Sequence, residues 1–390
     1  MTLFKIKNLV CSYNRKNPVL YIKSLEIPEG EICILFGKSG SGKSTLLETL
    51  GLMTNTIASS KEPYETIFKH ENISFNDEDV MSLKFFGRHE KETAEEITYI
   101  EKRLGDLPPV HENGLNFKLR ELQGNISDIF SINNKGLITD IWQGRKKQRE
   151  LQKRLRDQYF AFIFQNTNLM PNFSAEENAA IPEMIDLNKV PCGGNKSNCI
   201  YKSDYNFDCN ARSTKMCAVV HARQTLVDGL EIPRDKLSEP SREFSGGQQQ
   251  RITFARAHNS HFSVLFGDEP TGNLDVYNSK KLMKVIRDLI DKSQDNITRS
   301  AVIVSHSIDL TLQFANRIVM IETKQYTDAN DEIQYYGLID PKVVYVSDSP
   351  TESDPSAEEL PERKWRHVGF PDEVLTNEQM DVILTKFLRK

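Results

Sequence analysis

A short glycine-rich segment, Gly37–Thr45, constrains the fold of this chain more than any other part of it. It follows a continuously apolar run, Ile32–Phe36, and overlaps the start of a good helix-forming stretch, Ser44–Leu52. Glycines let backbone N–H groups approach an anion closely, and the following helix adds the positive end of its dipole. Strand, loop and helix in this order are what the pattern G-x-x-x-x-G-K-[ST] requires. The segment therefore predicts a site for the phosphates of a nucleotide.

We expect this loop to bind ATP together with Mg²⁺. Lys43 would bridge the β- and γ-phosphates, and the hydroxyl of Ser44 would coordinate the Mg²⁺. The residues of the loop predicted to bind the nucleotide are Gly37, Ser39, Gly40, Ser41, Gly42, Lys43, Ser44 and Thr45. Average residue frequencies give such a pattern by chance in about one chain of this size in a hundred. Kinases, GTPases and several families of ATPase share the loop, so it indicates the ligand but not the class of protein.

A second anion-binding segment lies far downstream, at Ser245-Gly246-Gly247-Gln248. Small residues that open a helix leave their N–H groups exposed at its positive end, which favours an anion. The chain thus has two phosphate-binding segments but one phosphate-loop lysine. This combination predicts that the second segment binds the ATP of a neighbouring protomer.

A pair of carboxylates, Asp268 and Glu269, follows the apolar run Val264–Phe266. At the end of a buried strand, Asp268 is placed to hold Mg²⁺ and Glu269 to polarise an attacking water. An Asp-Glu pair at a strand end is most often a solvated turn when it stands alone. Beside the two glycine-rich segments, the catalytic interpretation is favoured.

The pattern of apolar runs predicts a doubly wound α/β fold with a mainly parallel sheet. Residues Leu3–Glu31 alternate apolar and polar side chains, which is typical of antiparallel strands. Ile32–Phe36 is continuously apolar, as is typical of a parallel strand covered on both faces. The other predicted buried strands are Ser263–Phe266, Ala301–Val304 and Arg317–Ile321. In such sheets the working groups lie beyond the carboxyl ends of the strands, where the glycine loop and the Asp-Glu pair fall.

Taken together, these motifs resemble the ATPase subunits of ABC transporters over about two thirds of the chain. The resemblance implies a P-loop NTPase core, an N-terminal antiparallel β subdomain, a helical signature subdomain and insertions. Gly37–Thr45 stands at the Walker A position, Asp268 and Glu269 at Walker B, and Gly272–Asp275 at the D-loop. Ser245–Gln248 matches the signature sequence, with Phe244 where the family usually has leucine.

The resemblance also assigns roles to residues outside these segments. His306 matches the switch histidine that senses the γ-phosphate, and Gln165 matches the glutamine that links Mg²⁺ to the transmembrane partner. Tyr13 lies where an aromatic ring would stack on adenine, although Tyr21 is also nearby. The family therefore implies Glu269, His306, Gln165 and Lys43 as catalytic residues, and Ser44, Gln165 and Asp268 around Mg²⁺.

A finer resemblance lies in the stretch Phe162–Asn178 and in Asp268–Asp275, which are similar to the lipoprotein-release, macrolide-export and FtsE-like ATPases. Those enzymes work in pairs beneath separate membrane subunits. The resemblance implies a second ATPase protomer (homodimer or heterodimer) and an integral-membrane, permease-like subunit. The N-terminus does not resemble a secretory signal, and no apolar run approaches the roughly 20 residues of a membrane span. We therefore expect a cytoplasmic protein, peripheral at the inner face of the membrane through its partner.

Two other functions remain open at this point. The first is a soluble ABC ATPase coupled to an effector in repair or defence, and the second is a regulatory or scaffold module that turns over little ATP. One ATPase core without long heptad arms disfavours the first, and the intact Glu269 and His306 disfavour the second. The formal net charge of −5 gives no field that would attract nucleic acid, so no nucleic-acid partner is expected.

The expected domain organisation is an ABC ATPase domain at 1–340, a partly disordered linker at 341–374 and an amphipathic helix at 375–390. Polar insertions interrupt the ATPase domain at about 54–140 and 187–217, and their roles stay open between partner docking and simple elaboration. The second insertion offers Cys192, Cys199, Cys209 and Cys217, with His221 nearby, as reduced thiols, zinc ligands or disulfides. A basic helix at Arg145–Arg156 is either a solvated face or a contact for an anionic partner.

Overall fold

The structure is a computed structural model that describes residues 2–13, 17–53, 79–83, 130–133, 153, 156–157, 159–185, 214–260, 262–291, 298–328, 330–347 and 363–389. Its strands are β1 Thr2–Cys11, β2 Leu20–Pro28, β3 Ile32–Phe36, β4 Asp79–Leu83, β5 Phe130–Asn133, β6 Phe160–Ile163, β7 Val264–Asp268, β8 Ser300–Val304, β9 Arg317–Met320, β10 Glu322–Thr327, β11 Ile333–Ile339, β12 Val344–Ser347, β13 Lys364–His367 and β14 Phe370–Thr376. Its α-helices are α1 Lys43–Leu50, α2 Ala175–Ile185, α3 Thr214–Gln224, α4 Gly246–His258, α5 Val276–Asp291, α6 Ile308–Phe314 and α7 Asn377–Arg389.

The main sheet has eight strands in the order β14-β13-β12-β9-β3-β8-β7-β6. The five strands β9, β3, β8, β7 and β6 are parallel to one another. Every residue of β3 and β8 is buried, as their continuously apolar sequences require of strands covered on both faces. The predicted α/β fold with a mainly parallel sheet is confirmed.

The second sheet has six strands in the order β10-β11-β2-β1-β4-β5. β1 and β2 form the antiparallel pair that the alternation of their sequence predicts. Within the predicted insertion at about 54–140, β4 and β5 extend this sheet by antiparallel pairing from β1. An open strand edge supplies the hydrogen-bonding groups for such pairing whatever the side chains are.

Helix α1 lies between the two sheets, and this position fixes the phosphate loop that precedes it. Leu46, Leu47 and Leu50 are buried in one apolar cluster with strand residues of both sheets. In the same cluster, Phe4 and Phe266 contact each other edge-on, with ring centroids 6.3 Å apart. A second apolar cluster covers the opposite face of the main sheet with α4, α5, α6 and α7.

The segment 341–374, predicted as a linker, is structured at both ends. β12 pairs antiparallel with β9, and β13 and β14 continue the main sheet outward from it. Residues 348–362 lie outside the described part of the chain. α7 follows at once, with Met380 and Leu384 buried against the core and Ile383, Phe387 and Leu388 partly buried beside them.

Several other features of the sequence fall largely outside the described residues. They include most of both insertions, the basic run Arg145–Arg156 and the cysteines at 192, 199 and 209. The alternatives of thiols, zinc and disulfides therefore stay open. Among the helices that are described, none has both the length and the apolarity that a membrane crossing demands.

Candidate nucleotide site

The phosphate loop runs from the end of β3 to the start of α1, and its backbone needs glycine. Gly40 and Gly42 have φ of +77° and +92°, in the left-handed region that disfavours side chains. A Cβ at Gly37 would lie 2.8 Å from the Ser41 hydroxyl oxygen and 3.1 Å from the Ile321 carbonyl oxygen. The loop is thus closed tightly around its own backbone, and the buried Ser41 hydroxyl has no hydrogen-bond partner among the described residues. A phosphate oxygen could accept a hydrogen bond from this hydroxyl.

Lys43 folds back into the loop rather than out to solvent. Its Nζ donates hydrogen bonds to the carbonyl oxygens of Gly37, at 2.9 Å, and Lys38, at 2.6 Å, and the residue is only 5% exposed. Burial lowers the pKa of the Lys43 ammonium, whereas the nearby carboxylates of Glu269 and Asp268 raise it. A bound phosphate could therefore take the place of the two carbonyl oxygens as the hydrogen-bond partner of the Lys43 ammonium.

Ser44 and Asp268 form the oxygen pair expected of a magnesium site. Asp268 ends β7, and its carboxylate accepts a hydrogen bond from the Ser44 side chain in the first turn of α1. Burial raises the pKa of Asp268, while Ser44, Lys43 and His306 lower it. Hydroxyl and carboxylate oxygens are ligands that Mg²⁺ prefers, so the donors present here fit that ion.

Glu269 meets His306 and Gln165 at the carboxyl ends of three neighbouring strands. Its Oε1 lies 2.9 Å from Nε2 of His306, which follows β8, and its Oε2 accepts from Nε2 of Gln165, which follows β6, at 3.4 Å. The Glu269 backbone has a φ of +49°, and its N–H donates to the Val304 carbonyl at 3.2 Å. This unusual conformation at a non-glycine residue turns the carboxylate toward the two partners.

Tyr13 lies at the side of the phosphate loop, with 60% of its surface exposed. Its hydroxyl is 3.1 Å from Oγ1 of Thr45 and donates to Oε2 of Glu48 at 3.3 Å. Tyr21, the alternative adenine contact, is fully buried and donates to Asn8 instead. Of the two tyrosines, only Tyr13 can offer a ring face to a base. The contact between Tyr13 and adenine stays a prediction, and Tyr21 is no longer an alternative to it.

The predicted second anion site sits at the N-terminus of α4. Ser245 caps the helix through a capping box with Gln248: its hydroxyl accepts from the Gln248 N–H at 3.3 Å, and its own N–H donates to the Gln248 side chain at 3.0 Å. Ser245 and Gly246 are exposed. No hydrogen bond or ion pair within the described ranges links Ser245–Gln248 to the phosphate loop. In a single chain the two phosphate-binding segments therefore remain separate.

Some positioning residues of this site carry no local sequence signal. The Gln165 loop is held to α4 by Thr253 and Arg256, which donate to the carbonyls of Thr167 and Asn168 at 2.9–3.2 Å. Gly337 in β11 packs on the phosphate loop so closely that a Cβ would lie 2.0 Å from the Ser41 carbonyl oxygen. A glycine inside a strand is a general sign of close backbone approach, and it is the one signal that pointed here.

The loop after Glu269 borders a cavity of about 240 Å³ on the side of His306. The segment Thr271–Leu274 lines one wall, and His306 with the start of α6 lines the other. Leu274 also packs on α4, since a Cβ at Gly247 would lie 3.1 Å from its side chain. The segment predicted as the D-loop thus faces His306 across a shared cavity and contacts α4.

A phosphate loop before α1, with the carboxylates of β7 and the histidine after β8 on the same sheet edge, defines a nucleotide-binding ATPase cassette. A family model described as "ABC transporter" matches residues 22–135 and 133–272, which is more than half of the chain. The chain belongs to the ABC transporter family.

Two curated relatives sharpen this placement. The macrolide export ATP-binding/permease protein MacB of Syntrophobacter fumaroxidans is 33% identical over 196 residues, or 50% of this chain and 21% of MacB. The lipoprotein-releasing system ATP-binding protein LolD of Bacteroides thetaiotaomicron is 32% identical over 162 residues, or 42% of this chain and 60% of LolD. The predicted similarity to the lipoprotein-release and macrolide-export ATPases is confirmed. The matched region spans less than two thirds of either relative.

Among solved structures, one described as the "Dimeric Structure of MJ0796, a Bacterial ABC Transporter Cassette" aligns with 82% of this chain and 94% of its own. The TM-score is 0.46 and the sequence identity 21%. The assignment to the family rests on the sequence match and on the site described above.

Proposed function

We propose that this chain hydrolyses ATP as one half of a nucleotide-sandwiched dimer and thereby drives a separate membrane subunit. The observation that carries the proposal is the position of Glu269. Its carboxylate contacts His306 and Gln165, and the same strand end brings Asp268 to Ser44 and sets both carboxylates near Lys43. A carboxylate held beside a phosphate-binding lysine is the arrangement needed to direct a water at the γ-phosphate.

Each of these residues has a separate role in the proposed hydrolysis. Lys43 and the N–H groups of the loop offset the negative charge that spreads over the transferring phosphoryl group. Glu269 orients and deprotonates the attacking water, and His306 fixes the direction of the Glu269 carboxylate. Ser44, Asp268 and Gln165 would hold Mg²⁺, which when bound adds positive charge at the β- and γ-phosphates.

The dimer is required because the site in one chain is incomplete. Ser245 and Gly246 are exposed at the N-terminus of α4, and among the described residues no hydrogen bond or ion pair joins Ser245–Gly247 to the phosphate loop of the same chain. Two copies of this chain related by a twofold axis would each supply the segment that the other lacks. The charge of the γ-phosphate would draw the second segment in, so that ATP closes the dimer and its hydrolysis opens it.

The proposed partner is an integral-membrane, permease-like subunit, which would place the dimer in the cytoplasm at the inner face of the membrane. Support comes from the relatives, one of which is named as an ATP-binding/permease protein and the other as part of a lipoprotein-releasing system. Copurification of the tagged chain tests this part. An integral-membrane protein in stoichiometric amount supports it, and a soluble repair or defence effector in its place contradicts it.

The hydrolysis itself is tested by Glu269→Gln. The amide keeps the size of the side chain and its contact with His306 but cannot take a proton from water. We expect ATP binding to be retained and phosphate release to slow by about a hundredfold or more. Closed dimers should accumulate on size-exclusion chromatography with ATP.

The matched control is Glu378→Gln, an exposed glutamate in the first turn of α7. It should release phosphate at the rate of the unaltered chain. If Glu269→Gln also turned over at that rate, Glu269 would not be the residue that activates water.

A further inference from the structure

The helix that follows the catalytic histidine is held at both ends. His306 connects β8 to α6, whose first turn is capped by Ser307: the Ser307 hydroxyl accepts from the Leu310 N–H at 3.3 Å, and its carbonyl accepts from the Thr311 hydroxyl at 2.7 Å. Ser305 completes the link by accepting from the Ser307 N–H at 3.2 Å. A displacement of α6 is therefore carried directly to His306.

α6 has only seven residues, Ile308–Phe314, and a helix this short is not stable without outside contacts. The last carbonyls of a helix have no partner within it and carry the negative end of the helix dipole. Here two arginines, one partly buried and one buried, supply donors to these carbonyls. Arg287 of α5 donates to the carbonyl of Phe314.

The second arginine, Arg363, comes from the C-terminal end of the chain. Its Nη1 lies within 2.7–3.2 Å of three carbonyl oxygens at the end of α6, those of Leu312, Gln313 and Ala315. The residue is only 3% exposed. Burial, and to a lesser extent the charge of Arg287, lowers the pKa of Arg363 to about 10. A buried cation beside another cation is unfavourable unless its donors find acceptors, and the carbonyls at the end of α6 accept from Nη1.

Arg363 is fixed in turn by the C-terminal module, which comprises β13, β14 and α7 (residues 363–389). Its guanidinium lies over the ring of Trp365, 5.5 Å from the centroid, and that tryptophan is fully buried. The Trp365 N–H donates to the side chain of Asn377 at 2.9 Å, at the start of α7. The module thus presents a rigidly held guanidinium to the end of α6.

The geometry points to Arg363 as a positioning residue through which the C-terminal module sets the place of His306 beside Glu269. The inference rests on the proposed hydrolysis of ATP and deepens it: the phosphate loop binds ATP without the module, and hydrolysis depends on the module. Loss of Arg363 removes the donor to the carbonyls of Leu312, Gln313 and Ala315, leaves only Arg287 at the end of α6, and lets the His306 loop move. The consequence is a fall in kcat with little change in affinity for ATP.

Arg363→Met tests this, because methionine keeps part of the apolar stem and removes the donors and the charge. We expect kcat to fall by about tenfold or more, since small misplacements of a catalytic group have effects of that size. The Kd for ATP should stay within about twofold of the unaltered value, because no ground-state contact to the nucleotide is removed. Arg363→Lys, which restores a cation at the helix end, should recover part of the loss. The matched control is Lys364→Met, the next residue along β13 and exposed, which should change neither quantity.

Amide hydrogen exchange tests the link between Arg363 and α6 without requiring ATP hydrolysis. In Arg363→Met, or in Arg363→Lys if the methionine variant does not fold, residues 307–314 should exchange faster while α1 and β3 keep their protection. An unchanged kcat, or a parallel loss of ATP affinity, kcat and protection across the whole core, would overturn the inference. If the unaltered chain bound ATP but released no phosphate, the proposed function would fail, and the exchange arm would still report whether Arg363 holds α6.

Discussion

Gly337 shows how a single residue far along the chain can shape the phosphate loop. It lies in β11, and a Cβ added there would lie 2.0 Å from the Ser41 carbonyl oxygen and 2.8 Å from Cγ2 of Ile321. The obstructing oxygen belongs to the backbone, which cannot rotate away as a flexible side chain would. Any larger residue must therefore push the loop out of the conformation that surrounds Lys43.

We expect Gly337→Ala to weaken ATP binding by about tenfold, because overpacking of this kind costs roughly 1–3 kcal/mol. Isothermal titration of the folded variant with ATP measures the effect. Gly229→Ala is the control, since a Cβ at Gly229 meets no atom within 4 Å. Equal affinities in the Gly337 variant and the unaltered chain would show that the loop tolerates the added methyl group.

At this scale the sequence predicts residues that act within one continuous segment. Gly37–Thr45 was identifiable because the pattern that binds phosphate is local, and so were Asp268 and Glu269 at a strand end. Gly337 and Arg363 were not, because each acts on a backbone that is distant in the sequence. The roles of Tyr13, Gln165 and His306 were implied by family resemblance, and they stay predictions that the geometry supports.

At the scale of elements, the segment between β6 and α2 is organised by one buried amide. Asn178 is fully buried in α2; its Oδ1 accepts from the Met170 N–H at 2.8 Å. Its Nδ2 lies within 3.0–3.2 Å of the carbonyl oxygens of Met170, Phe173 and Ser174. Because Thr253 and Arg256 hold the carbonyls of Thr167 and Asn168, the Gln165 loop is tied to both α2 and α4.

Asn178→Ala should lower the free energy of unfolding by about 2–3 kcal/mol, because it removes the hydrogen bonds of a fully buried amide, each of which contributes about 0.5–1.5 kcal/mol. Urea unfolding measures this directly. Asn172→Ala removes an exposed contact with Arg242 in the same segment and should cost less than about 0.5 kcal/mol. A value for Asn178→Ala as small as that of the control would mean that the loop does not depend on the amide.

The types of the long elements were predictable, and the short additions were not. β3, β7, β8 and β9 are rich in apolar residues because both faces of the main sheet are covered, one by α1 and the second sheet and the other by helices, and such runs are visible in the sequence. β4 and β5 are short strands that exist through pairing at the edge of β1. β13 alternates exposed and buried residues over only four positions, which is too short a pattern to recognise after an acidic, proline-rich stretch.

At the scale of the whole molecule, the arrangement of the two phosphate-binding segments decides what the protein can do. The loop before α1 is coupled to Glu269 and His306 through the main sheet. The signature segment opens α4 and is exposed. In the proposed function, a chain built in this way holds one half of each of two sites, and its activity belongs to a dimer rather than to a monomer.

The C-terminal module is also connected to the nucleotide site. β12, β13 and β14 widen the main sheet beyond β9, and Arg363 contacts the C-terminal end of α6, the helix that begins just after His306. A segment predicted as a linker thus joins the main sheet at both of its ends. Composition alone could not indicate this, because polar and acidic residues on the exposed face of an edge strand resemble those of a solvated linker.

Mixing two inactive variants tests the shared site most directly. Lys43→Ala removes the cation of the phosphate loop. Gly246→Asp places a carboxylate where the γ-phosphate of the partner's ATP would sit, yet it is compatible with the monomer, because a Cβ there meets no atom within 4 Å and an acidic residue suits a helix N-terminus. Each variant alone should release almost no phosphate.

In an equimolar mixture, half of the dimers combine the two variants, and each of these has one site with both Lys43 and Gly246 intact. The account predicts recovery of about a quarter of the unaltered rate. A mixture that stays as inactive as its components, although both variants fold and form mixed dimers, would contradict the claim that each active site is shared between two chains.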